Sequence, residues 1–315
     1  MRRFFLTGFL IILGLSCRRR LYELDQTEMG FGSYIRIRAA GRDAAVVNRA
    51  VRQALAELHR LDSLWSGFLE SSEVVRLNRA GRMVVSVETR DLIIKAQEIA
   101  RATGGAFDIT VAPLLRLWGF YDGNYRVPDS ARVESLLAFV DYQKVRIKAD
   151  TVILGEGVNI DLGGLAVGWA VDRAVAILQE SGVEEALVDA GGDIRVFGKR
   201  RWRIGIQNPR GEGVVRILQL KDEAVATSGD YERFFFDGGR RYCHVINPKT
   251  GYPADGFGAV TVVASTALEA DAYSTAVFAL GLEEGGEWAE KRGLRAVLFV
   301  SRDDSLVVQE VGRIN

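Results

Sequence analysis

One stretch of the sequence, residues 224–275, concentrates side chains that could do chemistry. It contains His244, one of only two histidines in the chain, on a predicted strand. An unperturbed imidazole titrates at about pH 6.5, so His244 could accept a proton near neutral pH. Asp271 and Thr275 lie four residues apart on a predicted helix, so both oxygens point from one face of it. The stretch therefore predicts a site built where strands end and a helix begins.

Each of these three residues also has a structural interpretation. The helix dipole favours an acid in the first turn, and a D-x-x-x-T pattern is common. A histidine on a strand can be a satisfied core residue. The residues and their spacing leave both interpretations open.

The elements that would position these side chains are indicated by turn and strand-forming residues. An Asp-Gly-Gly turn at 237–239 joins an aromatic strand, Glu232 to Phe236, to a return strand, Tyr242 to Ile246. A buried strand, Ala259 to Ala264, leads to a helix predicted from Glu269 to Leu280, before a glycine that stops it.

A second predicted helix begins with a pattern that can bind anions. Residues 161–164 read Asp-Leu-Gly-Gly and open this helix. Glycines at a helix start let backbone N–H groups approach a phosphate, and the dipole favours negative charge there. Neither a P-loop nor a G-x-G-x-x-G fingerprint is present, so a helix that merely begins at a Gly-Gly turn is the alternative interpretation.

Composition favours a compact protein that does not bind nucleic acid. The chain has 315 residues, of which 48% are hydrophobic, so it can bury an ample core. Its 41 Lys and Arg residues balance 41 Asp and Glu residues. No overall positive field would draw it to nucleic acid.

The two cysteines, Cys17 and Cys243, indicate neither a disulfide framework nor a zinc site. Cys17 lies in a leader segment, so Cys243 has no partner. Cys243 and His244 are adjacent on a strand and point to opposite faces, and no further Cys/His cluster exists. We expect Cys243 to be a buried thiol.

Nine segments carry a combined signature, in chain order: EMGFGSYIRI, LWSGFLESSEVVRLN, ATGGAFDITVAPLLRLWGF, DLGGLAVGWAVD, LVDAGGDIRVFG, RWRIGIQNP, ATSGDYE, RYCHVINPKTGYP and EADAYSTAVFALG. From about Glu28 to Gly281 these segments resemble the flavin transferase (ApbE) family, the FAD:protein FMN transferases. The resemblance implies a two-lobed α+β fold with a largely antiparallel sheet, and FAD and magnesium in the cleft between the lobes. Long strands followed by separated helices, without regular βαβ alternation, also favour the α+β class.

The resemblance further implies an enzyme that needs Mg²⁺ and uses FAD as its substrate. FMN would move from FAD to a threonine hydroxyl of an acceptor redox protein, and AMP would leave. A divalent cation would neutralise the pyrophosphate during this displacement. Two alternatives stay open: a magnesium-dependent FAD pyrophosphatase, in which water replaces the threonine, and a non-catalytic FAD-binding lipoprotein.

Carried over residue by residue, the resemblance gives His244 and Asp271 catalytic roles, with His244 either the base or the residue that positions the flavin. Two positions depart from the family pattern: Phe68 replaces a frequent Tyr, and Val167 replaces a frequent Lys or Glu. The implied magnesium ligands are the Gly164 carbonyl, Asp271, Ser274 and Thr275. The implied FAD contacts are Met29, Phe68, Ala106, Phe107, Asp108, Asp161, Val167, Ser228 and Val245.

The N-terminus predicts export. Two arginines precede an apolar run at residues 4–15, which is shorter than the roughly 20 residues that a spanning helix needs. Ser16-Cys17 then resembles a bacterial lipobox, although Gly14 stands where Leu is usual.

We therefore expect residues 1–17 to be a lipoprotein signal peptide, 18–28 a tether and 29–315 the flavin transferase domain. The protein would be exported and held at the membrane by lipid on Cys17, facing the periplasm or the cell exterior. An ordinary signal peptide, or a short anchor with an incidental cysteine, is the alternative interpretation.

Overall fold

The computed structural model describes residues 21–302 and 305–314. The predicted signal peptide, Cys17 and the start of the predicted tether lie outside the described residues. Within the described ranges, no helix combines the length and the apolar character needed to cross a membrane.

Strands and helices alternate irregularly along the described chain. In order they are β1 (Tyr22–Gly30), β2 (Ser33–Gly41), α1 (Ala44–Trp65), α2 (Glu73–Ala80), β3 (Arg82–Val84), α3 (Val87–Ala102), α4 (Ala112–Leu117), α5 (Ser130–Leu137), β4 (Val145–Lys148), β5 (Thr151–Leu154), α6 (Ala166–Glu180), β6 (Glu185–Ala190), β7 (Asp193–Phe197), β8 (Trp202–Gln207), β9 (Val214–Leu220), β10 (Ala224–Gly229), β11 (Phe234–Asp237), β12 (Arg240–Cys243), β13 (Phe257–Ala264), α7 (Ala267–Lys291), β14 (Arg295–Arg302) and β15 (Ser305–Val311).

A large antiparallel sheet forms the centre of the fold. In the described residues it has eight strands, in the order β1-β2-β6-β7-β10-β13-β14-β15. Smaller sheets pair β11 with β12 and β8 with β9, and place β5 between β3 and β4. The antiparallel pairing of these strands confirms the predicted α+β class with a largely antiparallel sheet.

Helices α1, α6 and α7 pack against the main sheet and, in that order, against one another. The apolar residues of α1 recur at intervals of four and three, the period of an amphipathic helix. Those at the centre of the stripe are fully buried: Val47, Val51, Ala54, Leu58 and Leu61. The stripe therefore decides which face of α1 covers the sheet.

Helices α6 and α7 approach so closely that their backbones touch. A Cβ on Gly168 of α6 would lie 2.5 Å from the carbonyl oxygen of Ala267 in α7, so only glycine fits there. The carboxylate of Asp172, also in α6, accepts hydrogen bonds from the backbone N–H groups of Ala267 (2.9 Å) and Leu268 (3.0 Å). These first-turn groups of α7 have no acceptor within their own helix. The position of α7 relative to α6 is thereby fixed.

Helix α7 is interrupted where the sequence predicts its end. Gly281 has φ 78° and ψ −178°, which is not helical, and a second helical segment continues to Lys291. The left-handed φ is accessible to glycine at little cost. The predicted stop at this glycine is therefore confirmed as a break within α7.

The segment expected to be a tether is partly a strand. β1 pairs with β2 along its whole length, from Tyr22 opposite Gly41 to Gly30 opposite Ser33. Residues 22–28 are therefore part of the sheet, and the prediction of a tether is wrong for them. Most β1 side chains are exposed and polar, so this edge strand lacks the alternating apolar pattern that would reveal it.

Replacing Gly168 by alanine should destabilise the protein by about 1–3 kcal/mol, because the new methyl group meets the α7 backbone rather than a flexible side chain. The matched control is Gly286→Ala. A Cβ on Gly286 has no atom within 4 Å, and alanine should stabilise that helix by about 0.5–1 kcal/mol. Chemical denaturation of the two variants measures both changes. Equal stability of the two variants would contradict the close contact between α6 and α7.

Candidate active site

The first half of α7 presents a cluster of oxygens toward strand β10. The hydroxyl of Ser228 on β10 lies 2.9 Å from the hydroxyl of Ser274 and 3.1 Å from that of Thr275. Ser274 also donates to the backbone carbonyl of Asp271 at 2.9 Å. Four of the residues predicted to form the site are thus brought together. We call Asp271, Ser274, Thr275 and Ser228 the oxygen cluster.

The turn before α6 adds backbone atoms to the oxygen cluster. A Cβ on Gly164 would lie 3.4 Å from Oγ1 of Thr275 and 3.2 Å from Cε2 of Phe107. The backbone of Gly164 therefore runs beside the Thr275 hydroxyl. Two further predicted site features, the Gly164 turn and the Phe107 ring, therefore lie beside the Thr275 hydroxyl of the oxygen cluster.

Asp271 is buried and has two polar partners. The backbone N–H of Gly168, in the first turn of α6, donates to its Oδ2 at 3.2 Å. Its other partner is the carboxyl of Asp193, at the start of β7. Two carboxyls can hydrogen-bond only if one of them carries a proton. Burial, and then the neighbouring Asp271, raise the pKa of Asp193 well above its ordinary value, while burial raises the pKa of Asp271 to about 7.

These residues fit a divalent cation. A buried pair of acids is disfavoured as two anions, and a bound cation removes that penalty. Magnesium prefers oxygen ligands, and Asp271, the hydroxyls of Ser274 and Thr275 and the Gly164 backbone supply them. Among the described residues no group of three or more His, Cys, Asp or Glu side chains has the arrangement of a metal site. A cation here would therefore depend on hydroxyl and carbonyl oxygens as well as on acid.

His244 directly follows β12 and is mostly buried. Its backbone N–H donates to the carbonyl of Arg233 at 3.0 Å, which continues the pairing of the β11–β12 hairpin. Its Nδ1 is buried without a hydrogen-bond partner among the described residues, and its Nε2 lies 3.9 Å from the carboxylate of Glu232. Burial, and then the positive charge of Arg233, lower the pKa of His244 to about 3. The ring is therefore neutral at physiological pH.

Glu232 connects His244 to the buried acids. The side chain of Glu232 is 45% exposed, and its partial burial raises the pKa of the carboxyl. Its charge also contributes to the raised pKa of Asp193 and of Asp271, after the larger effect of burial. Glu232 is therefore near His244 and close enough to Asp193 and Asp271 for its charge to act on them.

A hydrogen-bonded chain holds the turn before α6. The hydroxyl of Tyr121 donates to one carboxylate oxygen of Asp161, and the other accepts the backbone N–H of Gly163 at 2.8 Å. The ring of Phe68, which is 62% exposed, lies 5.4 Å from the Tyr121 ring. The sequence identifies Phe68 and Asp161 but not Tyr121, because no local spacing connects Tyr121 to either.

Asp108 already has structural partners. Its carboxylate accepts from the backbone N–H (2.8 Å) and hydroxyl (2.6 Å) of Thr110 and from the backbone N–H of Tyr142 (2.9 Å). These bonds fix the loop that carries Ala106 and Phe107, both of which are buried. A groove of about 420 Å³ borders Asp108, and no member of the oxygen cluster lines it.

The remaining predicted FAD contacts differ in exposure. Met29 is the penultimate residue of β1, and its side chain is 73% exposed. Val245 is buried beside His244, and Val167 is half-buried against the main core. Cys243 is a buried free thiol, as predicted.

Comparison with protein families gives one match over most of the chain. The ApbE family model matches residues 31–298. The FAD:protein FMN transferase of Treponema pallidum is 32% identical over 294 residues, which cover 85% of this chain and 81% of that protein. The FAD:protein FMN transferase of Klebsiella pneumoniae is 30% identical over 304 residues, 94% of each chain.

Solved structures show the same fold. The ApbE protein of Thermotoga maritima has a TM-score of 0.85 at 36% identity, over 93% of this chain and 97% of that one. The apo form of the flavinyl transferase ApbE of Pseudomonas stutzeri has a TM-score of 0.85 at 30% identity, over 92% and 95%.

The two histidines allow a direct test of the protonation state of His244. We expect its ring to stay neutral from pH 8 down to about pH 5, because its lowered pKa lies near 3. Ring nitrogen chemical shifts in ¹⁵N-histidine-labelled protein measure this, and His59→Gln leaves a single histidine signal for assignment. A His244 signal that titrates with a midpoint near its ordinary value of about 6.5 would contradict the burial described for the ring.

Proposed function

The chain belongs to the ApbE family, and on that premise we propose that it acts as an FAD:protein FMN transferase. The observation that carries the proposal is the oxygen cluster on α7, which includes a buried acid, in a chain whose His244 is neutral. An arrangement of this kind suits displacement at a phosphate, where charge must be neutralised and one proton removed.

The reaction exchanges one phosphorus–oxygen bond for another. The hydroxyl oxygen of an acceptor threonine attacks the phosphorus on the riboflavin side of the FAD pyrophosphate. The new bond joins FMN to the acceptor, and the bond to AMP breaks. The hydroxyl proton must leave as the new bond forms, and the chain provides an acceptor for it in His244.

A neutral imidazole can accept that proton through the ring nitrogen that carries no hydrogen. The low pKa of His244 describes the ring beside Arg233 in the absence of substrate. A pyrophosphate brings negative charge, which stabilises the protonated ring and so raises its proton affinity. His244 is therefore kept in the form that accepts a proton, and its basicity increases when FAD is present.

We propose that the oxygen cluster holds Mg²⁺ through Asp271, Ser274, Thr275 and the Gly164 carbonyl. The ion would supply positive charge to the pyrophosphate and to the departing AMP. Gly168 holds the Asp271 carboxylate through its backbone N–H group, and Asp193 is a neighbouring acid that acts on its charge.

The start of α6 is suited to the anionic part of FAD. Backbone N–H groups of a first helical turn lack acceptors and attract phosphate. The hydroxyl of Tyr121 donates a hydrogen bond to the carboxylate of Asp161, and this bond holds the turn before α6 in place. The exposed ring of Phe68 and the exposed side chain of Met29 offer apolar surface for the flavin.

The direct test incubates the protein with FAD, Mg²⁺ and a protein acceptor that carries a threonine site. Mass spectrometry should show one FMN added to the acceptor, with an equal amount of AMP released. His244→Ala should lower turnover about 10²–10⁴-fold, the usual cost of losing a general base. AMP and free FMN in equal amounts, with an unmodified acceptor, would instead identify a pyrophosphatase. Tight FAD binding without any AMP would exclude both reactions.

Asp271→Asn should remove the negative charge that holds the cation while keeping the shape of the side chain. We expect transfer to fall by about 10²–10³-fold at saturating FAD, since electrostatic stabilisation of the displacement is lost. The matched control is Glu269→Gln, which neutralises another acid of the same helix, one that accepts from Ser265 at its N-terminus. Thr275→Ala should lose less activity and recover part of it at high magnesium, because water can replace a neutral ligand.

Magnesium titrations of the transfer rate measure these effects, with unfolding curves to confirm that each variant is folded. An Asp271→Asn variant with unchanged rate and magnesium dependence would exclude this carboxylate from the cation site.

A further inference from the structure

The β11–β12 hairpin places an arginine directly beside His244. In its antiparallel register Phe234 is opposite Cys243, so Arg233 is opposite His244. The backbone bond between them, 3.0 Å from the N–H of His244 to the carbonyl of Arg233, belongs to the same ladder. Residues directly opposite in an antiparallel pair have side chains on the same face, about 4.5–5.5 Å apart at Cβ. The side chains of Arg233 and His244 therefore project from the same face of the β11–β12 hairpin.

The same face of the hairpin continues with stacked rings. Phe235 and Tyr242, the next residues on this face, lie 5.2 Å apart and nearly parallel. The opposite face carries Phe234 and Phe236, with the guanidinium of Arg241 over both rings. The ribbon thus has a structural face and a face directed at the proposed reaction site, and Arg233 belongs to the second.

Arg233 differs from the other arginines of the hairpin in its partners. Arg241 hydrogen-bonds to Asp230 at 3.1 Å, and Arg240 hydrogen-bonds to Asp255 at 2.8 Å. Within the part of the chain that the structure describes, no acid lies within 4.0 Å of the Arg233 guanidinium. Its donors are available to a ligand.

The charge of Arg233 acts on groups that surround the proposed FAD site. Burial is the main cause that lowers the pKa of His244, and Arg233 adds to it. Burial raises the pKa of Tyr121, and Arg233 is among the cations that oppose this rise. Tyr121 bonds to Asp161, which holds the turn before α6. The Arg233 guanidinium is therefore close enough to both His244 and Tyr121 for its charge to act on them.

We propose that Arg233 binds the phosphate on the riboflavin side of FAD, the phosphate that is transferred. The proposal rests on the function proposed above. A base acting on the attacking hydroxyl lies close to the phosphorus under attack, and Arg233 is the neighbour of that base. A guanidinium offers parallel N–H donors that match two phosphate oxygens. It stays protonated throughout, so the hydroxyl proton still goes to His244 and AMP is still the leaving group.

The test is a series of flavins that differ in phosphate content: riboflavin, FMN and FAD. Their affinities for the wild-type protein and for Arg233→Met are measured by flavin fluorescence, with magnesium withheld so that no transfer follows. Arg233→Met should weaken FMN and FAD binding by about 10–100-fold, the range for a lost charge-assisted hydrogen bond, and leave riboflavin unchanged. Arg240→Met is the matched control, because it removes an arginine at the turn end of the same hairpin, and all three affinities should be unchanged.

Three results would overturn the proposal. Equal losses for all three flavins would mean that Arg233 shapes the flavin pocket rather than binding phosphate. A loss for FAD alone would place Arg233 at the adenylate phosphate. No loss for any flavin would remove Arg233 from the site.

A second readout uses the transfer reaction. With magnesium and acceptor, Arg233→Met should lower kcat about 10²-fold or more, because the contact lies on the phosphate that gains charge, and Arg233→Lys should restore part of it. An unchanged kcat in Arg233→Met would contradict the placement. If the wild-type protein transfers no FMN, the proposed function fails, while the flavin series still decides whether Arg233 binds a phosphate.

Discussion

The contact on which the rest of the structure depends is the backbone packing of α6 against α7 at Gly168. Each helix satisfies free N–H groups in the first turn of the other through a carboxylate. Asp172 of α6 accepts from Ala267 and Leu268, and Asp271 of α7 accepts from Gly168. Because a side chain at Gly168 would force the helices apart, the approach that makes these bonds possible requires glycine. The contact between α6 and α7 thus serves both the fold and the proposed site, because Asp271, the acid proposed to bind the cation, also joins the two helices.

This arrangement places charge where the protein alone cannot stabilise it. Asp193 and Asp271 are neighbouring acids, and burial raises the pKa of both. His244 has the complementary problem, since burial and Arg233 disfavour its protonated form. Under the proposed function, a bound cation would offset the charge of the two acids, and an anionic pyrophosphate would favour the protonated form of His244. One magnesium–pyrophosphate substrate would supply both charges.

Much of the fold could be predicted from local patterns. The apolar stripe of α1, the Asp-Gly-Gly hairpin and the break at Gly281 each follow from the preferences of a few neighbouring residues. Strand β1 could not be predicted, because an exposed polar edge strand owes its structure to pairing with β2. Spacing along one helix placed Asp271 and Thr275 on a shared face. In the structure Thr275 lies beside Ser228 and Gly164, and Ser274 joins Ser228 to the backbone carbonyl of Asp271.

The parts of the site that the sequence did not predict depend on distant pairings. Asp193 lies far from Asp271 along the chain, and only the fold brings the two acids near each other. Tyr121 acquires its role only by reaching Asp161. Arg233 is one arginine among many in the sequence, and the hairpin register alone puts it beside His244. The spacing of residues within a single helix or strand cannot predict contacts between residues of different elements.

The central claim is that the oxygen cluster on α7 holds a divalent cation against the substrate. The most direct measurement is anomalous diffraction from crystals grown with FAD and Mn²⁺, an ion with the same preference for oxygen ligands that can be located by its own signal. The account predicts one strong anomalous peak within about 2.0–2.4 Å of Asp271 and Thr275 oxygens, with the Gly164 carbonyl beside it. FAD bound in the site with no peak at this cluster, or with the peak held by other residues, would contradict the account.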